Sequence, residues 1–415
     1  MKLIPFALAG VSLFGLWACS SETATSEQKP LQLTIENPLA QDRTDVVVEI
    51  SVDSLKAWFP TLSLSNMKLM TGEELIPFQL NDPDQDGQAD ELALMLDLAA
   101  QQQTVVSLVP LAEGESLPEF KKRTQAEIAH KVGGHWEDRK YIGGEFKNVD
   151  GLAVPPEHTD HSHFIRYEGP GWESDLVGYR FYLDWRNATD IFGKKTTEMV
   201  LQDVGLDGFD SYHEPADWGM DVLKVGLSLG IGAPGFWQGD SALRVETTDS
   251  INCQVAENGA VESMIRTVYY GWQAGGKSTN LTSSLSIQAG SRLTRHDMAL
   301  STALPNLCTG IVKHENAELL QGEKGDWAYL ATWGQQSLAD DHLGMAILYR
   351  KADDVNTTAD EHSHVVVFNT ERTALTYYFL AAWEQEPSGF QTKEEFINYL
   401  DQQLAELNAP AAVTL

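Results

Sequence analysis

The sequence predicts an all-β chain: two sandwiches of unequal size and one late helix. Short β-rich runs separated by Asn/Asp/Gly/Pro clusters recur along most of the 415 residues, and 33 glycines suit many tight turns. Helical periodicity is convincing only over 392–407, where Phe396, Leu400, Leu404 and Leu407 fall at spacings of four, four and three. Hydrophobic residues make up 42% of the chain, enough for a sizeable core and too many for an acidic disordered tail. The formal charge of −31 excludes a phosphate-backbone binder, because nucleic-acid affinity rests on Lys and Arg neutralising phosphates.

Taken in order, Lys2 and the apolar stretch 3–18 read as a processing signal of 16 apolar residues, short of the ~20 that span a bilayer. The ending Leu16-Trp17-Ala18-Cys19 resembles a bacterial lipobox, which makes Cys19 the lipidation site. An ordinary secretory signal is the alternative. The lipid on Cys19 is then the expected contact with the outer membrane, and 19–30 is a flexible tether. Residues 31–115 predict a small β-sandwich with strands at 31–35, 46–50, 92–98 and 104–109. Residues 116–131 are charged and predict a partly helical connector. The large sandwich covers 132–410, with its clearest strands at 179–185, 284–287, 343–349, 365–368 and 376–382. Cys253 and Cys308 either pair or stay as buried thiols in an oxidising compartment. A monomer is expected.

Several segments carry chemistry. Asp82, Asp84, Asp86 and Asp90 match positions 1, 3, 5 and 9 of a calcium loop, with Gly87 at the sharp turn; Ala93 stands where the bidentate acid belongs. A structural Ca²⁺ is one reading and a solvated acidic turn the other; no other cofactor is expected. His161, His163 and Glu168 have the spacing of a first cupin metal motif, and His362 and His364 repeat the His-x-His pattern. The second cupin motif is absent, so histidines that contact substrate or simply lie at the surface are the plainer reading. The glycine-rich run 226–235 lacks a phosphate-loop ending and predicts a close backbone approach.

The strongest constellation runs from Trp172 to Asn187. Alternation puts Tyr179, Phe181, Leu183 and Trp185 on a core face and Arg180, Tyr182, Asp184 and Arg186 on the other. Two guanidinium forks in so acidic a chain would focus an anionic ligand, unless they form an internal Arg–Asp ladder. The segment from Tyr212 to Lys224 adds a phenol, His213, Asp217, Trp218 and an amine, a mixture suited to acid–base work.

The run from Glu168 through Trp172-Glu-Ser-Asp-Leu-Val-Gly-Tyr-Arg to Asn187, followed by Asp190-Ile-Phe-Gly-Lys194, resembles the bacterial domain-of-unknown-function family 4861. The segments Tyr212-His213, Asp217-Trp-Gly-Met-Asp221 and Ser228-Leu-Gly-Ile-Gly232 do so too. So do the early acidic turn and Tyr377-Tyr-Phe-Leu-Ala-Ala-Trp383. The resemblance implies secretion by polysaccharide-digesting bacteria and a mutarotase-like sandwich. It also implies removal of water from, or β-elimination at, a terminal uronate of an anionic, ulvan-like oligosaccharide.

That chemistry needs a group to hold the carboxylate, a base for the C5 proton and an acid for the C4 oxygen. Arg180 and Arg186 suit the first task. His213 or Tyr212 suits the base, and Tyr182 or the other member of that pair suits the acid. His161, His163, Asp184 and Lys224 are further substrate contacts, and Trp172 and Trp218 are stacking surfaces. A hydrolase using two of Glu173, Asp175, Asp184 and Asp217, or a non-catalytic glycan-binding lipoprotein, are the competing readings.

Overall fold

The computed structural model describes residues 31–415 apart from 61, 118, 209 and 210. The leader, Cys19 and the tether lie outside the described residues. The chain is all-β, as predicted, with α-helices only at Val52–Trp58 and Lys393–Asn408 among the described residues.

The N-terminal sandwich stacks a five-stranded sheet on the three strands Arg43–Ser51, Glu91–Leu98 and Phe78–Asn81. Alternating positions such as Leu33, Ile35, Val46, Val48, Ile50, Val106 and Leu108 supply its core. Its edge strand comes from the far end of the sequence: Ala412–Thr414 pairs antiparallel with Leu31–Glu36. The unit therefore extends beyond 31–115 to include the C-terminal residues.

The predicted helical connector is a correction. Thr124–Val132 is a strand of a six-stranded sheet, with Thr124, Ala126 and Ile128 buried at alternate positions. The charges along 116–131 suggested a helix, but antiparallel pairing with Glu145–Val149 and Gly171–Ser174 makes the segment a strand. The large unit thus begins near 124. Its nine-stranded sheet faces the six-stranded sheet and a five-stranded one, and their inner side chains share one core. The helix Lys393–Asn408 is capped by Thr392 and Glu395 and covers the outer face of the nine-stranded sheet through Phe396, Leu400 and Leu404. Cys253 and Cys308 are both free and buried.

The glycine-rich run makes the close approach expected of it. Gly230, at φ +66°, sits where a Cβ would lie 1.9 Å from the Thr189 carbonyl oxygen.

Where the two units meet, Glu49, Glu91 and Glu262 bring carboxylate oxygens within 4.8 Å of one another. Burial, then Glu49, raises Glu91 to about 7 against the opposing pull of Asn81 and Arg295; Glu257 also raises it. Burial and Glu49 likewise raise Glu262, with Gln288 donating to it. A carboxyl raised on folding stabilises below its unfolded value near 4.5, and that stability is lost as pH climbs through about 7. Glu91→Gln should therefore match the wild type near pH 5 and exceed it near pH 8 by about 1–2 kcal/mol, water around the half-buried group screening the rest. Urea unfolding at both pH values measures this, and identical curves for the two proteins would refute it.

Candidate functional site

The six-stranded sheet fixes the centre of the site. In Gly178–Phe181, Arg180 lies directly opposite Asp190 of the neighbouring strand Thr189–Lys194, and the next strand, Gly219–Asp221, brings Asp221 alongside. Arg180 is 1% exposed. Its Nη2 donates to Asp190 Oδ2 (2.8 Å) and Asp221 Oδ2 (2.7 Å), and its Nη1 donates to the Tyr212 hydroxyl (2.9 Å) and the Tyr167 carbonyl (3.1 Å). Tyr182 donates its proton to Asp190 Oδ2 at 2.6 Å. Burial, then Asp190, raises the Asp221 carboxyl well above its usual range, with Arg180 opposing.

Arg180 therefore cannot grip a substrate carboxylate, because its fork is already filled by two carboxylates, a phenol and a carbonyl. Arg186 is engaged as well. It pairs with Asp184 (2.5 Å), Asp160 (2.8 Å) and Glu168 (3.1 Å), its guanidinium 4.0 Å from the centre of the Tyr182 ring. Of the two readings of these arginines, the internal Arg–Asp ladder is the one observed. Tyr182 is correspondingly part of the buried network, its pKa raised well above the usual tyrosine value, first by burial.

The strand expected over 179–185 ends at Phe181. Leu183 stays in the core, but the following turn carries Trp185 outward. Trp172 is also a correction: it is fully buried, stacks on Tyr179 and donates its indole N–H to Thr294, so it offers no face to a sugar. Asp184 is buried beneath Arg186. Trp218 packs edge-on against Phe192, and Lys224 is exposed.

A narrow recess of about 20 Å³ opens above this network, lined by Lys131, His161, His163, Glu168 and Tyr212, with Tyr167, Phe146, Ile165 and Gly208 around them. Tyr212 lines it from the 3₁₀ turn Ser211–His213; His213 is not a lining residue, and its ring lies 4.4 Å from that of Tyr212. His213 Nε2 lies 3.6 Å from Asp221 Oδ2, so the carboxylate that anchors Arg180 also faces the imidazole. Burial raises Tyr212 to about 12, although Arg180 pulls the other way, so the phenol is protonated near neutrality.

On the opposite wall, burial alone would raise Glu168, but Arg186 and Arg180 outweigh it and hold the carboxyl below its usual value. Burial, then Lys131, lowers His163 and keeps it neutral. Several cleft residues adopt left-handed backbone: His161 (φ 56°), His163 (φ 59°), Tyr167 (φ 37°) and Glu168 (φ 67°). Such strained non-glycine residues gather where the surrounding structure fixes a functional geometry.

Sequence patterns missed Lys131 and the way Asp190 and Asp221 close on Arg180. Lys131 lay in the segment read as a helix, and the other two matter only through strand register. Two groups that could hold a metal match residues expected from the sequence. Asp160, His161 and Glu168 lie within 4.8 Å of one another, but Arg186 already neutralises two of them. His163, His362 and His364 join no such group among the described residues. Asp82, Asp84 and Asp86 form another; Asp90 is not among them, and Asp82 and Asp86 also accept backbone N–H groups of their own loop.

Among solved structures, the chain is similar to a glycosyl hydrolase family 38 protein and an alpha-mannosidase, both from Enterococcus faecalis. Each is 9% identical, with TM-scores of 0.42 and 0.43. Each alignment covers 92% of this chain, which spans about half of theirs, 47% and 45%. Both scores fall short of a shared fold. No curated protein matches the sequence. Residues 35–413, which include both sandwiches and every residue of the cleft, match the family described as Domain of unknown function (DUF4861), and the chain belongs to that family.

Proposed function

We propose that the chain is a carbohydrate-active lyase that eliminates water or a sugar across C4–C5 of a uronate in an anionic oligosaccharide. The observation that carries this reading is the adjoining Tyr212–His213 pair, Tyr212 at the cleft, seated on the buried Arg180–Asp190–Asp221 network. His213, oriented by Asp221, takes the C5 proton. The electrons of the C5–H bond form the C4–C5 double bond, the C4–O bond breaks, and the departing oxygen takes the Tyr212 proton. With its proton held at neutral pH, Tyr212 suits the acid rather than the base.

Lys131, with neutral His163 beside it, is the cationic group for the carboxylate as it becomes enediolate-like. The role first expected of Arg180 and Arg186 thus passes to Lys131, and the two arginines act as positioning residues.

The hydrolase alternative has less support. Glu173 is buried with Lys194 and the amides of Val200 and Leu201, Asp175 pairs with Arg123, and Asp184 pairs with Arg186. Mass spectrometry of one uronate oligosaccharide after incubation separates the readings. Dehydration removes one water, and chain cleavage by elimination leaves fragments that sum to the parent mass. Hydrolysis adds one water, and simple binding changes nothing; either of these last two outcomes refutes the proposal.

A further inference from the structure

Trp185 stands 44% exposed on the turn after Phe181, although both its neighbours are held in ion pairs: Asp184 and Arg186 with each other, Arg186 also with Asp160 and Glu168. A large indole left in water is a surface that favours an amphipathic partner. The guanidinium of Arg244 lies 5.9 Å from its ring centre.

Arg244 differs from every other buried arginine described. Arg166, Arg180 and Arg292 each pair with a carboxylate, Glu127, Asp190 and Asp221, and Glu386 respectively. Arg244 is 5% exposed and forms no ion pair among the described residues. Its Nη2 donates to the carbonyls of Gly226 (2.9 Å) and Ser228 (2.5 Å), while its Nη1 is buried with no hydrogen-bond partner. A buried cation with an unsatisfied donor is costly, and an oxyanion supplies both the charge and the acceptor.

We infer that Trp185 and Arg244 form a subsite for an anionic sugar, the indole stacking on the ring and the guanidinium binding a carboxylate or sulfate on it. Arg186, which follows Trp185 in sequence, pairs with Glu168 on the cleft wall. The inference rests on the reading of the cleft as an anionic-glycan site, and it assigns the ligand's second charge. Sequence alternation hid it by placing Trp185 in the core, and Arg244 belongs to no motif.

Calorimetric titration of the full chain with three oligosaccharides of equal length tests it: an unsulfated uronate, a sulfated neutral glycan and an uncharged glucan. Trp185→Ala and Arg244→Gln should each bind the anionic ligand about tenfold more weakly. The arm that loses affinity in Arg244→Gln identifies carboxylate or sulfate. Wild-type affinity in both variants, equal binding of the glucan, or no binding by the wild type overturns the subsite. If Arg244→Gln fails to fold by circular dichroism, the exposed Trp185 decides alone. Mass spectrometry of the titrated wild-type sample separates the two readings, since an oligosaccharide bound through these residues but left unchanged refutes the elimination and not the subsite.

Discussion

Arg180→Met should lose about 3–5 kcal/mol of stability near pH 8, the range seen when one partner of a buried ion pair is removed. The cause is specific. Asp190 and Asp221 lie on neighbouring strands around one guanidinium, all three nearly or fully buried, and Arg180 is the cation that offsets both. Without it, the two carboxyls must either repel each other in a dry site or take up protons. The Asp221 carboxyl, already raised by burial, then rises further, so the variant binds more protons folded than unfolded, and its stability falls with increasing pH. The loss should shrink toward pH 5, where protonation is easier. Urea midpoints at the two pH values give the answer; a loss under about 1 kcal/mol with no pH dependence is incompatible with this network.

The largest expected effect on chemistry belongs to the imidazole–phenol pair. His213→Ala and Tyr212→Phe should each lower kcat by about 10²–10⁴-fold, the usual weight of a positioned base or acid, with KM little altered. Tyr212→Phe also takes an acceptor from Arg180 Nη1, but the Tyr167 carbonyl remains to that donor, so the fold should survive. The pH profile carries a second signature. The base must be deprotonated, so activity rises with pH through its titration. The acid, raised to about 12 by burial, stays protonated across the accessible range. The profile should be one rising limb with a plateau. A bell closing near neutrality would assign the acid to another group.

The strands at 343–349 and 365–368 are buried on both faces, and those at 284–287 and 376–382 largely so, which made them legible as short continuous β-rich runs; the helix at 392–407 buries one face, which writes its period into the residues. The segment from Tyr212 to Lys224 stood out in the sequence for its mixture of a phenol, an imidazole, carboxylates and an amine. What failed was direction. Strand alternation was carried four residues past Phe181, which buried Trp185 on paper and gave Arg180 and Arg186 a common open face. Register across strands decides that question, since Asp190 and Asp221 become Arg180's partners only when three strands align. Glu127 shows the same limit: a lone acid in a segment taken for a helix, it is the buried counter-ion of Arg166 and accepts from the Tyr167 hydroxyl. Pairing the last strand with the first is likewise invisible to local pattern.

The most direct measurement is the absorbance of a newly formed C4–C5 double bond, followed in time with a uronate oligosaccharide and the wild-type, His213→Ala and Tyr212→Phe proteins. Absorbance that climbs with the wild type and slows at least about 100-fold with each variant is the expected result. Unsaturated product forming at the wild-type rate in both variants, or no unsaturated product from any uronate glycan, would contradict an elimination centred on these two side chains.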